Sequence, residues 1–213
     1  MTKLLLIRHG ESMANQAHVY AGHTDFPLTE KGLKQAELTA EFIVSQYSVD
    51  VIYASDLKRA FQTGKAVADR LQLPMKTDQG LREIYAGEWE GHPFDELMTV
   101  FKEDYNVWLT DVGNAVCTGG ESVRQLQERI LTTLEKIAKG HDGETVVIAT
   151  HATPVRVTQC AAMGLELGEL NQVPWVTNAS VTEIMYEQGS WSVGKVSMDD
   201  HLADFKTAFP KNV

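Results

Sequence analysis

The sequence predicts an α/β fold, a three-layer α/β/α sandwich around a mostly parallel central sheet. Three short apolar runs carry this prediction, at residues 4–7, 51–54 and 146–149. Each run is too short for a helix, and continuous apolar runs of this length are typical of strands buried on both faces of a parallel sheet. Segments with helical periodicity separate the runs, and this alternation favours helices on both faces of the sheet.

Four segments supply the predicted helices. The first repeats apolar residues at intervals of three and four over residues 33–47, with Thr29 as a candidate N-cap. The second covers about residues 57–71, and the third has the same periodicity over residues 123–137. The fourth is predicted to begin at Pro154, because proline is favourable in the first turn of a helix.

Two further segments modify this plan. Residues 180–187 and 191–197 flank a Gln-Gly-Ser turn, which predicts a hairpin and therefore one antiparallel edge strand. Residues 92–118 contain one predicted helix, at about 94–109, and we interpret them as a helical cap inserted over one end of the sheet. Because the sequence has no repeats, linkers or low-complexity segments, we expect a single domain over residues 1–213.

Composition restricts the possible classes of function. The chain has 213 residues and a formal net charge of −10. A general nucleic-acid binder would show a basic surface, so we expect no nucleic-acid partner, although a small anion can bind a local basic pocket. Cys117 and Cys160 form neither a disulfide framework nor a metal pattern. Since no stretch has the length of a membrane span or the pattern of a signal peptide, the sequence predicts a cytoplasmic protein with no membrane partner, a monomer or homodimer.

Cationic and imidazole side chains follow the three predicted strands. Arg8 and His9 come directly after the first strand, Arg59 follows the second, and His151 follows the third. The carboxyl ends of parallel strands meet at one edge of a sheet, where ligands bind, so we expect these side chains to converge. Taken singly, each arginine is explained by a solvated surface position and each histidine by a structural role. Together they indicate a phosphoryl site, because each guanidinium can bind two phosphate oxygens.

Six motifs occur in a fixed order along residues 3–185. They are RHGES with Asn15 behind it, GHTDFPLTEKG, ASDLKRAFQT, LREIYAGEWEG, GGES and ATHATPVR. This combination resembles the histidine phosphatase superfamily, which includes the cofactor-dependent phosphoglycerate mutases. RHG alone would be a weak signal, but the full set is highly specific and covers nearly the whole chain.

The resemblance implies a role for each matching residue. His9 is expected to attack phosphorus and form a phosphohistidine. Arg8, Arg59 and His151 are expected to hold the phosphate oxygens, with Asn15 as an additional donor. Glu83 is expected to give a proton to the leaving group and then to take one from the attacking water.

Gly22 and Ala152 complete the expected substrate-binding set, and the resemblance implies neither a metal nor a cofactor. The sequence departs from the family pattern at two positions beside the reacting groups. Ala14 stands where the family often has tryptophan, and Ala152 stands where glycine commonly follows the second catalytic histidine. Neither departure removes a reacting group. Among the other carboxylates and histidines, Glu88 and Glu90 are expected to be solvated, whereas His18, His23 and His92 either line the entrance or lie on the surface.

The predicted cap distinguishes between the reactions of this family. Its residues offer Lys102 as the one permanent cation against five carboxylates, and an acidic cap is a poor partner for a bisphosphorylated acid. The sequence therefore predicts a metal-independent phosphomonoesterase that acts on small phosphorylated metabolites. The alternatives are a 2,3-bisphosphoglycerate-dependent phosphoglycerate mutase and, in another class, a non-catalytic phosphate-binding module. Aromatic residues of the cap either line a specificity pocket or only pack together: Phe94, Phe101, Tyr105 and Trp108.

Overall fold

Within the residues that the computed structural model describes, 1–207, six strands form one sheet. They are β1 (Thr2–Arg8), β2 (Val51–Ala54), β3 (Met75–Thr77), β4 (Thr145–Thr150), β5 (Val181–Glu187) and β6 (Ser190–Val193). Their order is β3-β2-β4-β1-β5-β6, in which the first four are parallel and the last two form an antiparallel pair at one edge. The predicted fold class and hairpin are confirmed.

Seven α-helices accompany the sheet within residues 1–207. They are α1 (Met13–Ala17), α2 (Glu30–Gln46), α3 (Lys58–Leu71), α4 (Phe94–Val100), α5 (Lys102–Thr110), α6 (Val123–Gly140) and α7 (Ala152–Ala162). The N-cap prediction is confirmed, because the Thr29 hydroxyl accepts a hydrogen bond from the backbone N–H of Gly32 at the start of α2. No helix among these residues is both long and apolar enough to cross a membrane.

Strand β1 lies in the middle of the sheet and contributes to both halves of the core. Leu4 and Leu6 pack into the cluster formed with α6, α7 and the cap, whereas Leu5 and Ile7 pack into the cluster formed with α2 and α3. Apolar burial of this kind contributes about 25 cal/mol per Å². Because the strand is fixed from both faces, the residue that follows it has a well-defined position.

Three features differ from the sequence predictions. Helix α7 begins at Ala152, two residues before Pro154, because β4 runs directly into it; the proline still lies in the first turn, where its missing N–H costs nothing. The predicted cap helix is two helices, since the backbone at Phe101 leaves helical geometry with φ −118° and ψ 40°. Strand β3 was not predicted, because it is only three residues long and largely exposed. The predicted single domain includes residues 208–213, which lie outside the described residues, and it stays a prediction.

Candidate active site

The site lies where β1 and β4 end side by side. Arg8 pairs with Thr150 as the last residue of each strand, so His9 and His151 follow at the same edge. The backbone N–H of His9 donates to the Thr150 carbonyl at 2.9 Å, and the two imidazole rings lie 5.2 Å apart between centroids. Residues far apart in the sequence therefore meet at this edge, as the rule for parallel strand ends predicted.

The His9 ring has a defined tautomer. Its Nδ1 lies 2.7 Å from the Gly10 carbonyl oxygen, which can only accept, so Nδ1 carries the proton and Nε2 carries the free electron pair. Burial lowers the pKa of His9 well below its usual value, and the neighbouring charges of Arg59 and Arg8 lower it further. The imidazole is therefore neutral and able to act as a nucleophile.

His151 is also buried and neutral. Burial is the main cause that lowers its pKa well below the usual value, followed by the charge of Arg59. Its Nε2 lies 2.9 Å from the Ser55 hydroxyl, and its buried Nδ1 has no hydrogen-bond partner within residues 1–207. His151 occupies the N-cap position of α7 without a side-chain capping bond, and the N-terminal backbone N–H groups and dipole of this helix favour a bound anion at this place.

Arg8 and Arg59 are buried guanidinium groups, and backbone carbonyls hold one side of each. Arg8 donates to Val176 at 2.7 Å, and Arg59 donates to Gly22 at 2.7 Å and Thr24 at 3.0 Å. Burial lowers the pKa of each arginine to about 10, so both keep their charge at neutral pH. The buried Nε atom of each has no partner among the described residues.

Asn15 presents its amide nitrogen rather than its oxygen. The Oδ1 atom accepts from the backbone N–H and the hydroxyl of Ser12, both at 3.0 Å, and from Nδ2 of Asn178 at 3.2 Å. Since three donors fix the oxygen, the NH₂ group is left as a donor for a ligand. Gly22 has φ +49°, and a Cβ there would collide with the Glu90 carboxylate, so glycine is required where the chain turns towards Arg59.

Glu83 is half-buried on the wall of the same pocket. One carboxylate oxygen accepts from the backbone N–H of Ile84 at 2.9 Å, and the other lies 3.4 Å from the N–H of Thr153 in the first turn of α7. The carboxyl group therefore faces the edge at which His9 and His151 meet.

A cavity of about 670 Å³ joins these residues. Seven of the eight predicted site residues line it, and His151 does not: the lining seven are Arg8, His9, Asn15, Gly22, Arg59, Glu83 and Ala152. Two of the four cap aromatics line the cavity, and the other two only pack against neighbouring rings. Phe94 and Trp108 line the cavity, whereas Tyr105 packs on Trp89 and Phe101 packs on His92. The catalytic roles of the site residues stay predictions.

Several peripheral residues differ from expectation or add detail. His18 lines the cavity, whereas His23 and His92 do not. Glu90 is half-buried, and it accepts hydrogen bonds from the backbone N–H groups of His23 and Ala86 and from the Thr24 hydroxyl. It thus holds the 22–24 turn that carries the carbonyls bound to Arg59.

The two departures from the family pattern fit the local structure. Ala14 is wholly buried within α1. Ala152 has helical backbone geometry as the first residue of α7, a conformation in which a Cβ costs nothing. The backbone there does not require glycine.

Sequence reasoning missed four residues that complete the site: Ser55, Thr153, Trp175 and Asn178. Ser55 and Thr153 stand within the quoted motifs, so their position after a strand could have identified them. The Trp175 ring lies between Arg8 and Arg156, at 5.5 and 5.0 Å from their guanidinium carbons, and Asn178 donates to the His9 carbonyl at 3.1 Å. No local pattern marks these two, because only tertiary packing brings their segment to β1.

The fold and this arrangement define a histidine phosphatase, and the family comparison agrees. Residues 4–199 match the model of the histidine phosphatase superfamily (branch 1), and the chain belongs to this family. Within residues 1–207, no group of three or more His, Cys, Asp or Glu side chains is placed to hold a metal ion. The absence of a metal, of a cofactor and of a nucleic-acid partner stays a prediction.

Particular relatives are similar over almost their full length. Phosphoserine phosphatase 1 of Hydrogenobacter thermophilus is 34% identical over 208 residues, which are 96% of each chain. The adenosylcobalamin/α-ribazole phosphatase of Salmonella typhimurium is 32% identical over 89% of this chain and 88% of its own. Among solved structures, YhfR of Bacillus stearothermophilus superposes with a TM-score of 0.90 at 30% identity, covering 95% of this chain and all of that chain. A phosphoserine phosphatase variant of Entamoeba histolytica, in complex with phosphoserine, gives 0.83 at 27% identity over 95% of this chain and all of its own.

Proposed function

We propose that this protein is a phosphomonoesterase that hydrolyses small phosphorylated metabolites without a metal, through a phosphohistidine on His9. One observation carries the proposal. Beside a neutral His9, two buried donors of cavity-lining residues have no partner within residues 1–207: Arg8 Nε and Arg59 Nε. Leaving a buried donor unpaired costs about 1–3 kcal/mol, and a phosphoryl group would satisfy both.

In the first step, His9 Nε2 attacks phosphorus and the bond from phosphorus to the ester oxygen breaks. The leaving oxygen takes the proton of Glu83. Arg8 and Arg59 stabilise the charge on the transferring oxygens, and such preorganised donors are the largest contribution to phosphoryl transfer. The Gly10 carbonyl, which accepts from Nδ1 at 2.7 Å, stabilises the positive charge that the ring acquires.

In the second step, a water molecule attacks the phosphohistidine. The Glu83 carboxylate takes a proton from this water, the bond from phosphorus to Nε2 breaks, and its electron pair returns to the ring. Inorganic phosphate leaves, and His9 is again neutral with its proton on Nδ1. Each group ends the cycle in the protonation state in which it began.

The residues that line the outer part of the cavity favour a small substrate that bears an amine. Asp95 is an exposed carboxylate on this wall, while Tyr20, Phe94 and Trp108 add aromatic surface. A carboxylate beside aromatic rings favours an ammonium group. Because relatives include phosphoserine phosphatases, phosphoserine is the first substrate to test.

The two alternatives have less support. The described residues that line the cavity include two permanent cations, Arg8 and Arg59, both at the phosphate end, and no lysine. A mutase needs further cations for the carboxylate and the second phosphate of its substrate. A non-catalytic binding module has no use for a neutral His9 beside a carboxyl group at Glu83.

The test is phosphate release in EDTA from p-nitrophenyl phosphate and a panel of metabolites that includes phosphoserine. The wild type is expected to turn over, and His9→Ala is expected to lose about 10⁴-fold or more of kcat. His92→Ala serves as control, because His92 lies outside the cavity. Unchanged turnover by His9→Ala would rule out a mechanism through a phosphohistidine on His9. Faster conversion of 3- to 2-phosphoglycerate than phosphate release would favour the mutase, and phosphate binding without turnover would favour the binding module.

A further inference from the structure

The segment that carries Glu83 has little regular structure of its own. It runs between two 3₁₀ turns, Gln79–Leu81 and Gly87–Trp89, and pairs with no strand. Side chains from elsewhere hold its backbone instead. The carbonyls of four consecutive residues, from 80 to 83, each accept a hydrogen bond from a side chain. The position of Glu83 is therefore set from outside its own segment.

Arg129, on α6, makes most of these contacts. Its Nη1 donates to the carbonyls of Gly80 and Arg82, both at 3.0 Å, and its Nη2 donates to the carbonyl of Glu83 at 3.1 Å. Its Nε and Nη2 also donate to Glu121, at 3.0 and 2.8 Å. All five N–H donors of the guanidinium group are thus in use, and three of them hold the segment that ends at Glu83.

Glu121 binds the backbone on the C-terminal side of Glu83. Its carboxylate accepts from the backbone N–H of Tyr85 at 3.1 Å, and its own N–H donates to the Tyr85 carbonyl at 2.7 Å. The side chains of Arg129 and Glu121 are 26% and 14% exposed, so water competes little for these bonds. One ion pair therefore binds the backbone immediately before and after Glu83.

We propose that Arg129 and Glu121 form a positioning pair that sets the reach of the Glu83 carboxyl group towards the leaving oxygen. This inference rests on the proposed function, in which Glu83 protonates that oxygen. The carboxyl group itself has two backbone contacts, one of them as long as 3.4 Å, so its placement depends on the backbone behind it. A displacement of about 1 Å at a reacting group can cost about 10²-fold in rate.

The experiment compares two leaving groups. The nitrophenolate ion leaves without protonation, whereas an alkoxide needs the proton of Glu83. We expect Arg129→Gln to lower kcat/KM by about tenfold to 10²-fold for the alkyl phosphate that the wild type hydrolyses best, and by no more than a few-fold for p-nitrophenyl phosphate. Glu83→Gln is measured in parallel and is expected to show the same selectivity with a larger loss. Arg124→Gln, on the exposed face of the same helix, is the matched control.

The outcomes distinguish the role of the Arg129–Glu121 pair from the role of Glu83 itself. If Glu83→Gln is selective and Arg129→Gln lowers both substrates equally, the pair is structural and the inference is wrong. If Glu83→Gln itself lowers both equally, Glu83 is not the proton donor and the inference falls with that role, while phosphatase activity stands. If Arg129→Gln does not fold by circular dichroism, Glu121→Gln, which keeps the guanidinium, is measured instead. Selective loss in that variant supports the pair, and equal loss overturns it.

Discussion

The two ends of the active-site cavity are built from different kinds of structure. At the inner end, the groups follow the ends of β1 and β4 and the start of α7, and Arg59 is 1% exposed. At the outer end, α4 and α5 supply Phe94, Asp95 and Trp108, of which Asp95 is exposed to solvent. The inner end is thus fixed by the core of the sheet, whereas the outer end belongs to an appended cap.

This difference separates chemistry from substrate choice. A change to Arg8 or Arg59, which are proposed to bind the phosphoryl group at the inner end, should affect every phosphate ester to the same degree, because all esters share that group. A change at the outer end should alter the ranking of substrates and leave the chemical step intact. Three further experiments test this division, in order of decreasing effect.

Arg59→Met should give the largest effect of the three. Methionine keeps much of the side-chain volume but cannot stabilise charge, so we expect kcat/KM to fall by about 10²- to 10³-fold for all substrates alike. Phosphate release from phosphoserine and from p-nitrophenyl phosphate measures this loss. Lys58→Met is the matched control, since the neighbouring Lys58 side chain is 63% exposed. A loss confined to one substrate would assign Arg59 to substrate choice and break the division.

The buried histidines of the inner end should make stability depend on pH. Burial and the charge of Arg59 lower the pKa of both His9 and His151 in the folded chain, whereas the unfolded chain titrates near about 6.5. As pH falls below that value, the unfolded state takes up protons first, so the stability present at higher pH is lost. Each histidine contributes up to about 1.4 kcal/mol per pH unit.

Urea unfolding at about pH 7, 6 and 5 measures this loss. His151→Gln should reduce the slope of the free energy of unfolding against pH, because one titrating group is gone. The result would contradict the burial of a neutral His151 if His151→Gln had the same slope of unfolding free energy against pH as the wild type. The comparison requires that both proteins show the same dependence of this free energy on urea concentration.

Asp95→Asn should give the smallest effect, confined to substrate choice. An exposed charge pair is worth about 0.2–1 kcal/mol, so we expect kcat/KM to fall by a factor of about 1.4 to 5 for phosphoserine and phosphoethanolamine. Glycerol 2-phosphate, which lacks an amine, should be unaffected. Glu96→Gln is the control, because Glu96 is adjacent but lies outside the cavity and contacts His92. Equal losses on all three esters would place Asp95 in the chemistry.

The inner end could be predicted from sequence because its residues adjoin the strands that position them. Arg8, His9 and His151 follow apolar runs directly, so the rule that parallel strand ends share an edge is enough to bring them together. Periodicity likewise located α2 and α6, and Pro154 indicated α7, although α7 begins earlier than that proline suggested. These are local signals, each contained within one continuous segment of the sequence.

The remaining features depend on contacts that no local pattern records. Trp175 and Asn178 reach the site because the segment before β5 crosses the end of β1. The periodicity of α6 identifies the apolar face of that helix but gives no role to Arg129. The partners of Arg129 are backbone carbonyls of an irregular segment, and every residue type has such a carbonyl. The break at Phe101 also escaped prediction, because residues 94–109 suit one helix as well as two.

The pairing of β1 has a consequence for how activity is acquired during folding. Its neighbours on both sides, β4 and β5, lie about 140 to 180 residues further along the chain, so β1 cannot be closed into the sheet until both have formed. Pairings of such large sequence separation form slowly, because loop-closure entropy is lost before the contacts compensate it. Because His9 directly follows β1, the return of phosphate release during refolding is expected to report the closure of β1 into the sheet.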